Sequence, residues 1–94
     1  MMQGYLQVSY RNGRALAAYY RPLGIKRRKS VKCRQAKPGM VIDFAADGSP
    51  LGIEILAPAQ LTVAAFNRVL RSLGFPTVKA ADLAPLRGPA RKSA

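Results

Sequence analysis

The residues with the plainest chemistry in this chain are cations. Arg11, Arg14, Arg21, Lys26, Arg27, Arg28, Lys29, Lys32, Arg34 and Lys37 all precede the first acidic residue, Asp43. A phosphate backbone asks for repeated positive charge along a track, each contact releasing counterions. On a strand, Lys32 and Arg34 are two apart and share one face, so they can meet adjacent phosphates. The run Lys26-Arg27-Arg28-Lys29 reads as a loop able to wrap a backbone. Tyr5, Tyr19 and Tyr20 fall on neighbouring predicted strands and could stack on bases, as in sheet-based readers of single strands. Each feature also has a plainer use. A cationic surface aids solubility, and strand tyrosines commonly pack into a core.

The remaining chemistry is sparse. Asp43, Asp47 and Glu54 are three of the chain's 4 acidic residues and sit in one stretch, 40–56. Paired carboxylates can hold a metal or act as acid and base. Asp47 is explained as the turn residue before Gly48. Asp43 and Glu54 are expected to pair with Lys or Arg across strands. The chain has no histidine and one cysteine, Cys33. That removes the usual zinc frameworks, a Cys–His nucleophile and an intrachain disulfide. Cys33 reads as a small buried hydrophobe. The expectation is no catalytic residue, no metal site, no cofactor and no enzyme.

The charge balance sets the class of partner. With 16 Lys and Arg against 4 Asp and Glu, the net charge is +12 over 94 residues. Such a surface attracts polyanions. The hydrophobic fraction of 49% argues for a folded core rather than disorder. The length allows one domain, read as 1–86, with a flexible basic tail at 87–94. No apolar run is long enough to span a membrane, so no membrane insertion is expected. The N-terminus lacks the basic-then-apolar order of a signal peptide. A reducing, bacterial cytoplasm is the expected setting.

The elements that must position these residues follow from periodicity. Residues 4–10 alternate, with Leu6, Val8 and Tyr10 on one side. Asn12-Gly13 is a strong hairpin signal, and 15–20 is the returning strand. A loop covers 25–29. A third strand at 30–36 sets Val31, Cys33 and Gln35 against Lys32 and Arg34. Strands at 40–45 and 51–56 flank Asp47-Gly48. Leu51, Ile53 and Ile55 share a face from which Glu54 points away. Five short strands with tight turns predict an antiparallel meander. Thr62 caps a predicted helix over 63–73, whose apolar stripe is Val63, Phe66, Val69, Leu70 and Leu73. Gly74 and Pro76 end it. A short helical turn is expected around 80–83. The fold class is therefore α+β: a small, mainly antiparallel five-stranded sheet with one C-terminal amphipathic helix packed on one face. The same helix stripe could form half of a homodimer interface.

Val8-Ser9-Tyr10, Ala15-Leu16, Pro38-Gly39, Val41-Ile42-Asp43-Phe44, Asp47-Gly48 and Gly52-Ile53-Glu54-Ile55-Leu56 together resemble the bacterial domain of unknown function 2283 family. The resemblance covers roughly residues 5–56, and the last strand is its most specific part. It implies a short sheet protein without an established activity and an antitoxin-like binding role. The chain differs from that pattern in charge. The first turn is Arg11-Asn12-Gly13-Arg14 where the family is usually acidic, and Ala45 and Ala46 replace acidic turn residues.

The function expected from these residues is a non-enzymatic small basic binding protein that contacts nucleic acid, DNA or RNA, through phosphates. The alternative is an antitoxin-like or inhibitor-like protein that neutralises a partner protein.

Overall fold

Asn12 and Gly13 close the first hairpin because both adopt positive φ, 53° and 76°. A two-residue turn of that hand matches the twist of the strands it joins. The computed structural model of the chain describes residues 4–37 and 39–87. The hairpin strands are β1 (Gly4–Arg11) and β2 (Arg14–Pro22). Three more follow: β3 (Lys32–Ala36), β4 (Met40–Phe44) and β5 (Pro50–Ile55). A 3-10 turn, Pro58–Gln60, leads to α1 (Val63–Ser72), and a 3-10 helix, Ala80–Leu86, closes the described chain. The expected tail at 87–94 falls almost wholly outside the described residues.

All four strand pairings are antiparallel, and the order is β1-β2-β5-β4-β3. The fold class is the α+β arrangement expected, but the sheet is not a meander. β2 pairs with β5, so β3, β4 and β5 fold back as a unit to lie beside it. This is a Greek-key order. The physical reason lies in β5. Leu51, Gly52, Ile53 and Ile55 are all buried, which suits an inner strand paired on both sides. In a meander the same strand would lie at an edge. The exposed, charged β3 takes the edge instead.

One face of the sheet carries the core. Ala18 and Tyr20 of β2, Met40 and Ile42 of β4, and Ile53 and Ile55 of β5 pack with Phe66, Val69 and Leu70 of α1. Tyr20 and Phe66 meet edge to face, their ring centroids 5.2 Å apart. The buried Ile, Leu, Val, Met and Phe side chains among them each contribute about 1.5–3 kcal/mol through burial. Leu83 and Leu86 of the 3-10 helix join the same cluster, with Leu6 and Val8 packed against it. Tyr10 donates to the Pro85 carbonyl at 2.9 Å and ties the hairpin to that segment.

Local signals set the ends of α1. The Ala65 N–H donates to the Thr62 hydroxyl at 3.1 Å, the expected N-cap. At the other end the Phe75 N–H donates to the Leu70 carbonyl and the Gly74 N–H to the Arg71 carbonyl. That pair is the Schellman closure, with Gly74 at the left-handed position. The chain beyond is pinned by one side chain. Asn67 Nδ2 donates to the Val78 carbonyl at 3.0 Å, and the Val78 N–H donates to Asn67 Oδ1 at 2.8 Å. Replacing Asn67 with Ala removes both bonds and is expected to cost about 2 kcal/mol. The urea midpoint should fall by that cost divided by the unchanged slope, about 1–2 M, and a midpoint equal to the parent's would refute the pinning role.

Candidate nucleic-acid interface

The Greek-key order makes the basic segment a crossover. β2 ends in a turn where the Ile25 N–H donates to the Pro22 carbonyl at 3.2 Å. Residues 25–31 then pass the ends of β5 and β4 with no regular structure of their own. The Val31 N–H donates to the Phe44 carbonyl at 3.0 Å, seating the chain beside β4 before β3 begins. Midway, Arg28 reaches Asp47 at 2.9 Å and ties the crossover to the β4–β5 turn. Asp47 also accepts from the Ser49 N–H at 2.9 Å. Ser49, through its hydroxyl and N–H, and then Arg28 hold the Asp47 carboxyl well below the usual carboxylate range. The tether therefore keeps its charge through neutral and mildly acidic solution.

Six cations line this crossover and the edge it feeds. Lys26, Arg27, Arg28, Lys29, Lys32 and Arg34 are all exposed. In register, Lys32 stands opposite Phe44 and Arg34 opposite Ile42. Both therefore point to the core-bearing side, at the margin of the sheet. The Arg34 guanidinium lies 5.3 Å from the centroid of the Phe44 ring. Lys32, Arg34, Phe44 and Gly48 line a shallow hollow of about 250 Å³. Phe44 was not among the residues that sequence reasoning singled out. Its signal is the alternation Ile42-Asp43-Phe44, which continues the core face to a position flanked by Lys32 on β3 and Pro50 on β5.

Arg11 and Arg14 do not join this track. They flank the β1–β2 turn, eight residue steps along β2 from Pro22, roughly 27 Å away. They also lie toward the β1 edge, whereas the track follows β3.

The tyrosines are dispersed, and they do not form the expected stacking platform. Tyr20 is 1% exposed in the core and cannot reach a base. Consecutive strand residues face opposite ways, so Tyr19 points to the other, helix-free face. There it lies over Gly52: a Cβ at that position would fall within 2.7 Å of the Tyr19 ring and hydroxyl. Asp43 pairs with Gly52, and Glu54 pairs with Tyr19. Burial first, then the Asp43 carboxylate, pushes the Tyr19 phenol up to about 12. Tyr5 is exposed on the same face, with the Arg21 guanidinium 5.2 Å from its ring centroid. The expected cross-strand ion pairs of Asp43 and Glu54 do not form. Their partners in register are Cys33 and Gly52 for one, Tyr19 and Val41 for the other. Among the described residues the one salt bridge is Arg28–Asp47.

Cys33 is exposed, not buried. β3 is an edge strand with neither face covered along Lys32 to Gln35, so an apolar side chain there gains no shelter. Among the described residues, no group of three or more His, Cys, Asp or Glu side chains is gathered in space. No helix among them is long and apolar enough to cross a membrane. No protein-family model, no curated protein and no solved structure matches the chain.

Two measurements check this geometry. Cys33 in the native protein should react with a thiol reagent as readily as in denaturant; strong native protection would contradict its exposed position. Tyr19→Phe should remove a phenolate absorbance change centred at about pH 12, and an unaltered titration curve would contradict the placement of Tyr19 beside Asp43. Because the folded pKa is raised, Tyr19's contribution to stability is complete below about pH 10 and lost as pH rises through 12.

Proposed function

We propose that this chain is a non-enzymatic binding protein for nucleic acid, engaging phosphates with Lys26, Arg27, Arg28, Lys29, Lys32 and Arg34. The observation that carries this reading is uncompensated charge gathered on one crossover and one edge. The chain has 16 Lys and Arg, and a single salt bridge forms among the described residues. Unpaired exposed cations repel one another and favour a polyanion that relieves them. The two carboxylates of the sheet, Asp43 and Glu54, face the other side, so a phosphate chain on the β3 edge does not meet them. Arg28 shares its charge between Asp47 and solvent, which shapes the loop without removing it from the track. An exposed free thiol at Cys33 suits a reducing, cytoplasmic setting.

The test is fluorescence anisotropy of a labelled oligonucleotide across a series of salt concentrations. If four to six cations each meet a phosphate, log K should fall against log salt with a slope of roughly −3 to −5. Replacing Lys26, Arg27 and Lys29 together with Gln should make that slope shallower by about 2. Absence of binding at low salt, or binding indifferent to salt, would overturn the reading. Isolation of a stoichiometric protein partner free of nucleic acid would instead support the alternative, an antitoxin-like or inhibitor-like protein that neutralises a partner.

A further inference from the structure

We infer that the hollow at Phe44 receives an unstacked base, which makes single-stranded nucleic acid the ligand of the β3 edge. The inference rests on the phosphate-binding reading above and adds the feature that charge alone lacks, a surface for a base. Three observations converge there. Phe44 is a half-buried ring packed against the core, so its position is held from behind. The hollow in front of it, about 250 Å³, opens to solvent between two cations, Lys32 and Arg34. Those cations are two residues apart on one strand, about 7 Å, comparable to consecutive phosphates of an extended strand.

Arg34 now covers the ring, with its guanidinium 5.3 Å from the centroid. Its side chain is exposed, so it is free to swing toward a phosphate while a base takes its place over Phe44. Lys32, directly across from Phe44, then meets the next phosphate. Aromatic stacking combined with a cationic groove is the general means by which proteins hold single strands, and every base presents a face for it. In a duplex the bases are already stacked and paired, and a recessed ring at a sheet margin has no access to them. The tyrosine-bearing face offers no equal site, because Asp43 and Glu54 share it with Tyr19.

The experiment compares three ligands of equal length on the full chain: oligothymidylate, an abasic strand with the same phosphates, and a duplex. Oligothymidylate should bind between about 5-fold and 100-fold more tightly than the abasic strand, with the same salt slope. Phe44→Leu, which keeps an apolar side chain against the core, should abolish that difference and leave abasic and duplex binding unchanged. Circular dichroism verifies that the variant is folded. In the unsubstituted chain, the Phe44 ring protons should shift upfield when oligothymidylate is added and stay in place with the abasic strand. Equal affinity for oligothymidylate and abasic strand, or unmoved Phe44 resonances, would overturn the base site while leaving phosphate binding standing. Failure of all three ligands to bind would overturn both.

Discussion

β5 has to be an inner strand, and the distribution of charge over the molecule depends on that. Its residues Ile53 and Ile55 face the core, Leu51 is buried, and Gly52 is covered from the other side by Tyr19. An apolar strand of this kind loses most when one of its flanks is left open to water. Placing β2 on one flank and β4 on the other satisfies it. The cost falls on the connection from β2, which cannot be a tight turn and must pass two strand ends. Residues that pass strand ends lie at the surface, and there Lys and Arg are easily solvated. The topology thus sends the cationic segment across one end of the sheet and along its free edge.

The two faces of the sheet then differ in charge as well as in packing. The helix-bearing face is closed by α1 and the 3-10 helix and leaves Phe44 at its margin beside Lys32 and Arg34. The other face holds Asp43, Glu54, Tyr19 and Tyr5, with Arg21 against Tyr5. Gly52 makes this arrangement possible: a side chain there would displace the Tyr19 ring from beside Asp43. A charged ligand therefore meets two chemically distinct surfaces on a sheet five strands wide.

Much of the fold is legible in the sequence because its signals are local. Alternation marks the strands, Asn12-Gly13 and Asp47-Gly48 mark hairpin turns, and Thr62 with Gly74 brackets α1. Strand order is a non-local property, and tight turns between β3, β4 and β5 say nothing about where β2 docks. The clue that was available is the unbroken apolar character of Leu51-Gly52-Ile53, which suits an inner strand better than the last strand of a meander. The site was legible in its charges and less so in its aromatics. Tyr19 and Tyr20 are consecutive, so strand geometry alone forbids them a common face. Residue type points Cys33 to the core, whereas the edge position of β3 leaves it exposed. Phe44 needed the pairing with Lys32, which appears only once the β3–β4 register is known.

An edge strand leaves a row of backbone N–H and C=O groups without partners and is a template for sheet extension between copies. β3 is such an edge, and it carries Lys32 and Arg34 with Lys37 just beyond. A second copy approaching β3 to β3 would bring two rows of like charge into register and be repelled. The row of cations thus disfavours β3-to-β3 pairing, most strongly at low salt. Neutralising that row lowers the barrier to such pairing, so colloidal behaviour becomes a function of which anions surround the molecule.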